Sequence, residues 1–308
     1  MLVFIYHPQA ESVAAKVRSA HPHLEVVGSG NLADVHQYLP HTTVLFTAGF
    51  GRLDLGRAAS LRWVQTVSAG VDRLVSNLPP GVVLTRGHGL HNVAMSEHCL
   101  GRILAHALNL RQALKNQAER RWERYPVERI SGKVLGIAGL GVIGSAIARR
   151  ARAFDMRVTG LRRVAVPAEG VERVYGREEL HEFLSTADYV VILLPLTSET
   201  HGMFGSAEFE VMKPGAVLMN MGRGQVVKEP ELIEGLKRGR PSHALLDVFE
   251  EEPLPSGSEL WSLPNVTITP HNAGGSTLED AMALFLENLD RFQSGQPLKG
   301  AVDPRLGY

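Results

Sequence analysis

The sequence predicts an α/β protein whose second half is built around a parallel β-sheet, and three observations support this fold class. After Pro126, six short apolar strands recur about every 22 to 32 residues, and helix-compatible segments fill most of the gaps. Strand 190–194 is apolar at every position, which is typical of a sheet covered on both faces. A glycine-rich turn joins the first of these strands to a helix. Strand–helix–strand units at this spacing imply right-handed crossovers and therefore parallel strands.

The first hundred residues predict a smaller α/β region. Apolar strands alternate there with helical or loop segments, at 2–6, 24–27, 44–47, 63–67 and 82–85. From residue 92 to about residue 122 the chain lacks proline and carries apolar residues at helical spacing. This pattern predicts one long helix that links the two regions.

The second region continues with strands at 134–139, 157–161, 189–194, 216–220, 244–247 and 266–269. Helices are expected between them at 142–154, 178–184, 206–212 and 229–238. Residues 248–265 are rich in proline and glycine and predict a loop, whereas 277–294 has the pattern of an amphipathic helix. The last segment, 300–308, shows no core pattern.

Composition limits the classes of function. The chain has 308 residues, enough for two domains, with 32 basic and 32 acidic residues and a pI near 7.3. This balance provides no positive field for nucleic acid or an anionic membrane. The single cysteine, Cys99, excludes an intrachain disulfide and a cysteine-rich zinc site. No segment has the pattern of a signal peptide or a membrane span, so we expect a cytoplasmic protein without a metal site.

The glycine-rich turn carries a dinucleotide-binding fingerprint, Gly139-x-Gly141-x-x-Gly144, between a predicted strand and a predicted helix. In this pattern the first glycine permits a tight turn, the second lets the backbone approach a pyrophosphate, and the third allows close helix–strand packing. The diphosphate then lies at the helix N-terminus. We therefore expect a Rossmann-type, doubly wound domain whose cofactor contacts include Gly139, Leu140, Gly141, Val142 and Ile143.

Arg162 and Arg163 follow the next strand, where an NAD-binding domain would place an acidic residue for the ribose 2′-hydroxyl. A carboxylate there would repel a 2′-phosphate, whereas guanidinium groups bind one bidentately. The pair therefore favours NADP(H), with NAD(H) possible. An exposed basic loop without a ligand is the alternative interpretation.

Chemically capable residues cluster after the predicted strands, where open parallel sheets bind their ligands. The segments at these ends are Pro195 to Thr197, Met221 to Gly224, Asp247 with Glu252 beyond it, and Pro270-His271.

His271 lies in a tight loop after Thr269-Pro270 and is the best candidate for a general acid or base. A glutamate beside it would raise the pKa of the imidazole, although the run Glu250–Glu252 could also be a solvated acidic face. Arg223 lies between two glycines, where the backbone can approach a ligand and an arginine can bind a carboxylate.

The segment Ser68-Ala69-Gly70-Val71-Asp72 ends a strand of the first region with small residues. Exposed backbone N–H groups in this segment would hold a carboxylate, and an ordinary turn is the equal alternative. Residues 46–50 are a further candidate lining for the substrate pocket.

Taken together, these segments resemble the D-isomer-specific 2-hydroxyacid dehydrogenases, and most closely their glyoxylate/hydroxypyruvate reductase A branch. The resemblance is carried by the glycine fingerprint and Ser68–Asp72, and by three further motifs. They are Met221-Gly222-Arg223-Gly224, Asp247-Val248-Phe249-x-x-Glu252-Pro253 and Thr269-Pro270-His271-x-Ala273-Gly274.

The resemblance implies roles for particular residues. Arg223, Glu252 and His271 would form the catalytic set, which selects Glu252 from the three glutamates. Arg223 and the backbone of Ala69 and Gly70 would bind the substrate carboxylate. The remaining cofactor contacts implied are Leu194, Pro195, Met221, Gly222, Asp247, His271 and Gly274.

The resemblance also implies a domain organisation. A dinucleotide-binding domain, 97–271, would be inserted into a flavodoxin-like substrate domain formed by 1–96 and 272–308. The family pattern further implies a homodimer.

The expected function is NADPH-dependent reduction of a small 2-keto acid, of the glyoxylate or hydroxypyruvate type, to the D-2-hydroxy acid. Hydride would pass to C2 and His271 would donate a proton to the forming alkoxide. Two alternatives stay open: an enzyme similar to phosphoglycerate dehydrogenase, and a dinucleotide-sensing protein similar to transcriptional corepressors of this fold.

Overall fold

The computed structural model describes residues 1–48 and 53–307. The chain forms two compact units, of which unit 1 comprises residues 1–91 and 276–308 and unit 2 comprises Asn92–Gly275. Within the described ranges, no helix is both long enough and apolar enough to cross a membrane.

Unit 1 is built on a parallel sheet with the strand order β2-β1-β3-β4-β5, the flavodoxin-like arrangement. The strands are β1 (Leu2–Tyr6), β2 (Glu25–Ser29), β3 (Val44–Thr47), β4 (Trp63–Thr66) and β5 (Val83–Thr85). The helices described in this unit, numbered in chain order, are α1 (Ala10–Ala20), α2 (Leu32–Tyr38), α3 (Asp72–Val75) and α10 (Leu278–Gln293). Helix α10 covers one face of the sheet, where the Phe285 ring lies 4.7 Å from that of Phe46 and 5.4 Å from that of Trp63.

Unit 2 is built on a second parallel sheet with the order β12-β11-β10-β9-β6-β7-β8. Its strands are β6 (Val134–Ala138), β7 (Arg157–Leu161), β8 (Arg173–Tyr175), β9 (Tyr189–Ile192), β10 (Val217–Asn220), β11 (His243–Leu246) and β12 (Val266–Ile268). The helices described are α4 (Asn92–Ala107), α5 (Leu110–Ala118), α6 (Val142–Arg152), α7 (Leu180–Thr186), α8 (Ser206–Glu210) and α9 (Glu229–Lys237). This is the doubly wound Rossmann order, with its switch point between β6 and β9.

The prediction of one long helix over 92–122 is wrong. Helix α4 ends at Ala107, and α5 begins at Leu110. Between them Asn109 has φ +48°, a left-handed conformation that asparagine tolerates better than most residues and that interrupts the helical hydrogen bonds. Helix α5 then ends at Ala118, where the charged residues begin.

Two smaller differences concern segments with few apolar residues. The edge strand β8 was not predicted, because three residues give too short a pattern. The closing segment was expected to lack core residues, but Val302 is buried and its N–H donates to the carbonyl oxygen of Leu84 at 2.9 Å. Pairing with β5, rather than an apolar run, orders this segment.

Candidate active site

The glycine turn lies at the switch point of the unit 2 sheet. Gly139 has φ +111°, and a Cβ there would lie 3.0 Å from the carbonyl carbon of Leu193. A Cβ on Gly144 would overlap the carbonyl oxygen of Gly139. The first and third glycines therefore serve the tight turn and the close approach of α6 to the turn.

Gly141 differs from the other two, because a Cβ on it would meet no atom within 4 Å. Gly141 is also the N-cap residue of α6, and no side chain among the described residues caps this helix end. The first N–H groups of a helix lack partners within the helix and attract anions. Open space beside a bare helix N-terminus fits the diphosphate of a dinucleotide.

The neighbouring contacts of this turn are with protein. The side chain of Leu140 is buried and would overlap a Cβ on Gly160, while its carbonyl oxygen accepts a hydrogen bond from Arg162 Nε at 2.9 Å. Val142 is 42% exposed and Ile143 is half-buried, so both remain accessible at the start of α6.

The two arginines after β7 have different partners. Arg162 reaches back to the glycine turn, so its guanidinium helps to hold the turn in place. Arg163 Nη2 lies 3.1 Å from Glu199 Oε2.

Glycines allow the loops after β6, β9 and β10 to approach one another closely. A Cβ on Gly222 would lie 2.7 Å from the carbonyl oxygen of Leu194. The segments Leu194-Pro195 and Met221-Gly222 therefore lie side by side, adjacent to the glycine turn, as expected of a shared ligand-binding edge.

The glycines that flank Arg223 approach protein backbone. Gly222 packs on Leu194, and a Cβ on Gly224 would overlap the carbonyl group of Phe249. Our sequence interpretation, that backbone approaches a ligand at these glycines, misses this packing. Its effect is to fix the Arg223 loop against the loop that carries Glu252.

Asn220, which the sequence analysis did not single out, shapes the Arg223 loop. It is buried at the end of β10, where its Oδ1 accepts from the Gly222 N–H at 3.1 Å and its Nδ2 donates to the Arg223 carbonyl oxygen at 3.0 Å. A polar residue at the end of a buried strand is the signal that identifies it.

His271 and Glu252 lie in contact. The distance between His271 Nδ1 and Glu252 Oε2 is 2.7 Å, and the two side chains are 50% and 27% exposed. Glu252 also accepts at Oε1 from the Phe249 N–H at 3.0 Å, which fixes its carboxylate. His271 has φ +49°, and its N–H donates to the carbonyl oxygen of Asp247 at 2.8 Å.

The contact shifts both pKa values. The hydrogen bond to Glu252 raises the pKa of His271, against the opposing effects of burial and of the Arg223 charge. Burial alone would raise the pKa of Glu252, but hydrogen bonds from His271 and Phe249 outweigh it and the pKa falls. The Arg223 charge lowers the pKa of both groups, so it acts on the pair. An imidazole held protonated beside an arginine can donate a proton to a developing alkoxide.

The neighbouring Glu250 has another role. Glu250 Oε1 accepts from the Glu229 N–H at 3.0 Å, and Glu229 Oε2 accepts from the Glu250 N–H at 3.2 Å. These reciprocal bonds attach the loop to the start of α9.

Asp247 positions the loop that carries His271. It is 1% exposed, and its Oδ1 accepts from the Thr269 hydroxyl at 2.6 Å and from the Asn272 N–H at 3.1 Å. Its Oδ2 accepts from the Ala273 N–H at 3.1 Å, which leaves Gly274 directly after a fixed turn. The carboxylate thus organises the 271–274 loop.

Arg102 on α4 supports the same loop and was also missed. Its guanidinium donates to Thr269 Oγ1 and to the carbonyl oxygen of Thr267, the latter at 2.6 Å.

In unit 1, Ala69 and Gly70 follow β4 and are both partly exposed. The preceding Ser68 donates its hydroxyl to the carbonyl oxygen of Ala48 at 3.3 Å, which holds the turn to the end of β3. Phe46 is fully buried in the unit 1 core, and residues 49 and 50 of the candidate pocket segment lie outside the described residues.

Comparisons with known proteins identify relatives that match over most or all of the chain. Residues 100–273 match the family model for the D-isomer specific 2-hydroxyacid dehydrogenase, NAD binding domain. The chain is similar to glyoxylate/hydroxypyruvate reductase A of Salmonella newport, with 32% identity over the full length of both proteins.

Solved structures give the same result. A D-isomer specific 2-hydroxyacid dehydrogenase family protein from Aeromonas salmonicida has a TM-score of 0.91 and 35% identity, over 98% of this chain and 99% of that one. The NADPH-dependent glyoxylate/hydroxypyruvate reductase from Sinorhizobium meliloti, in complex with NADP and sulfate, has a TM-score of 0.89 and 30% identity, over 100% and 99%.

Proposed function

Since this chain belongs to the D-isomer specific 2-hydroxyacid dehydrogenase family, we propose that it reduces a small 2-keto acid, such as glyoxylate or hydroxypyruvate, to the D-2-hydroxy acid with NADPH. The observation that carries this proposal is the contact between His271 and Glu252 at the carboxyl end of the unit 2 sheet. In this proposal unit 2 binds the dinucleotide.

His271 acts as the proton donor. Its Nδ1 is engaged with Glu252, so the opposite ring nitrogen, Nε2, is the atom that delivers the proton to the substrate oxygen. Glu252 keeps the ring oriented and protonated. The left-handed backbone at His271, held by Asp247, fixes where the ring points.

Arg223 binds the substrate carboxylate and polarises the keto group. A planar guanidinium can bind a carboxylate through two parallel hydrogen bonds. Support comes from the packing of Gly222 and Gly224, which holds the Arg223 backbone rigidly beside the Glu252 loop. The family resemblance adds the backbone N–H groups of Ala69 and Gly70 as further contacts for the carboxylate.

The cofactor assignment rests on the glycine turn and the arginines after β7. Bound NADPH supplies the hydride. The N-terminus of α6 binds its diphosphate, and Arg163 binds its 2′-phosphate. Arg162 holds the turn to which the diphosphate binds. NADP in the Sinorhizobium meliloti reductase supports this preference.

A substrate panel tests the proposal. Purified protein is mixed with NADPH or NADH and with glyoxylate, hydroxypyruvate or 3-phosphohydroxypyruvate, and cofactor oxidation is followed by absorbance. We expect the highest kcat/KM with NADPH and one of the two small keto acids. Preference for 3-phosphohydroxypyruvate would indicate the phosphoglycerate dehydrogenase alternative. Tight dinucleotide binding without turnover of any substrate would favour a sensing protein.

We also propose that the chain forms a homodimer through α5 and the segment that follows it. Several large apolar side chains are exposed there, at Leu110, Leu114, Trp122 and Val127. Exposed apolar groups in one region are typical of protein interfaces. Light scattering coupled to gel filtration tests this: we expect a dimer for the native chain and a weakened dimer for Leu114→Glu/Trp122→Glu.

A further inference from the structure

The ends of β7 and β8 carry three arginines, and one carboxylate lies among them. Arg162 and Arg163 follow β7, and Arg177 follows β8. Glu199 Oε2 lies 3.1 Å from Arg163 Nη2 and 3.7 Å from Arg177 Nη1. Glu199 therefore bridges two cations at the edge where the adenosine ribose of a dinucleotide lies in this fold.

Glu199 reaches these arginines from another part of the sheet. It belongs to the loop after β9, and β6 separates β9 from β7 in the strand order. The loop is ordered by its own hydrogen bonds, since Thr200 Oγ1 donates to the Pro195 carbonyl oxygen at 2.6 Å and the His201 N–H donates to the Thr197 carbonyl oxygen at 2.9 Å. The carboxylate is thus presented from a fixed turn.

Arg177 is attached to the same turn. Its Nη2 donates to the backbone carbonyl oxygen of Glu199 at 3.1 Å, in addition to the ion pair with the carboxylate. This backbone contact does not depend on the Glu199 side chain. Arg177 therefore keeps its position when the carboxylate moves or is replaced.

We propose that Arg177 and Glu199 set the affinity for the cofactor 2′-phosphate, Arg177 as an additional cation and Glu199 as a competing anion. The inference rests on the proposed NADP(H) specificity and extends it to two residues outside the Arg162-Arg163 pair. A 2′-phosphate carries nearly two negative charges, so its binding to Arg163 must displace the Glu199 carboxylate or accept its repulsion.

Half-exposed side chains make this competition feasible. Glu199, Arg163 and Arg177 are 47%, 41% and 47% exposed, so their ion pairs are screened by solvent and can rearrange. A ribose 2′-hydroxyl, as in NAD, has no charge with which to displace Glu199. The carboxylate therefore lowers the affinity for NADP(H) selectively and moderates the preference between the two cofactors.

Calorimetric titration of the whole chain with two adenosine nucleotides tests the proposal without catalysis. Adenosine 2′,5′-bisphosphate represents the adenosine half of NADP, and 5′-AMP represents that of NAD. We expect Glu199→Gln to tighten binding of the bisphosphate about two- to fivefold, as expected for loss of a half-exposed charge interaction. Arg177→Gln should weaken it by a similar factor. Neither variant should change binding of 5′-AMP.

Glu172→Gln is the matched control. Glu172 pairs with Arg157 at the opposite end of β7, with Nη2 to Oε2 at 2.8 Å. This variant removes a similar ion pair from the same strand and should leave both affinities unchanged. All titrations should be repeated at higher salt, where the effect of Glu199→Gln should shrink.

The outcomes separate this inference from the proposed function. If the native chain binds the bisphosphate no better than 5′-AMP, the NADP(H) specificity fails, and this inference with it. If the native chain prefers the bisphosphate but Glu199→Gln and Arg177→Gln leave the ratio unchanged, only the inference fails. Weaker bisphosphate binding by Glu199→Gln would also overturn it, because Glu199 would then support the arginines.

Discussion

At the scale of single residues, the His271–Glu252 contact determines the pH range in which a proton donor is present. The hydrogen bond to Glu252 raises the pKa of His271. Reduction needs the protonated ring, so activity should fall as pH rises through this pKa. In Glu252→Gln the partner charge is lost and the pKa of His271 drops. The falling alkaline limb of kcat/KM should therefore move to lower pH.

Glu250→Gln is the control for this profile. The Glu250 carboxylate accepts from the Glu229 N–H and does not contact His271. The alkaline limb of the Glu250→Gln variant should therefore coincide with that of the native enzyme. A limb that moves equally in both variants would assign the effect to the general negative charge of the loop.

Arg223→Lys separates carboxylate recognition from simple charge. Lysine keeps the charge but lacks the planar fork that binds a carboxylate bidentately. The keto-acid KM should rise on the order of tenfold or more, as expected for loss of a charge-assisted hydrogen bond. NADPH affinity, measured by fluorescence titration, should be unchanged. A near-native kcat/KM would instead make Arg223 a structural residue of its turn.

The residues able to bind a substrate or transfer a proton can be identified from the sequence, but the residues that hold them in place cannot. His271 and Arg223 stand out as isolated polar residues in glycine-containing loops, whereas Glu252 needed the family resemblance, because three adjacent glutamates have the same local pattern. Asn220 acts within its own loop, on the Gly222 N–H and the Arg223 carbonyl oxygen, and its role follows from the fold of that loop. Arg102 donates to the carbonyl oxygen of Thr267, far away in the sequence. A contact of that kind depends on tertiary packing, which local spacing does not encode.

At the scale of elements, close packing between the Arg223 loop and the Glu252 loop depends on Gly224. A Cβ at this position would overlap the carbonyl group of Phe249. We expect Gly224→Ala to lower the free energy of unfolding by about 1–3 kcal/mol, in the range for overpacking. It should also reduce kcat, because the overlap separates Arg223 from Glu252. Urea unfolding and steady-state kinetics measure the two effects.

Gly257→Ala provides the comparison. A Cβ there would meet no atom within 4 Å, and the backbone needs no left-handed conformation. Stability and activity should both stay near native values. Equal losses in the two variants would show that glycine content, and not the loop contact, is what matters.

Apart from β8, the strands were predicted well because each is a short apolar run between turn residues, and the parallel order follows from the crossover pattern. The interrupted helix was not, since the stretch around Asn109 has ordinary helical spacing. The helical and left-handed conformations of Asn109 differ little in local free energy, so tertiary contacts decide between them.

At the scale of the whole molecule, paired histidines should limit stability in acid. His106 on α4 and His243 on β11 have ring centroids 4.6 Å apart. Burial lowers the pKa of both histidines. The pKa of His106 is lowered further by His243, and that of His243 by Arg111, while Glu128 opposes both shifts. A histidine with a lowered folded-state pKa contributes stability that is present above its unfolded value, about 6.5, and is lost as pH falls.

The free energy of unfolding should therefore decrease as pH falls below about 6.5. His243→Asn should make this dependence shallower, and His36→Asn, at an exposed position on α2, should leave it unchanged. Urea titrations at several pH values measure the slopes. His271 works in the opposite direction, since its raised pKa adds stability that is lost as pH rises.

The placement of α10 affects the order in which the chain folds during synthesis. Unit 2 can form its sheet as soon as residues up to Gly275 have left the ribosome, whereas the Phe46 and Trp63 face of unit 1 is fully covered only when Phe285 emerges. Asn288 then closes that face by donating to Gln65 Oε1 at 2.9 Å. Until that moment the nascent chain presents an apolar sheet surface, which is the type of surface that chaperones bind and that drives aggregation. Folded unit 2 shortens this exposure, because it brings Ala94 and Gly275 together and so reduces the effective loop that α10 must close.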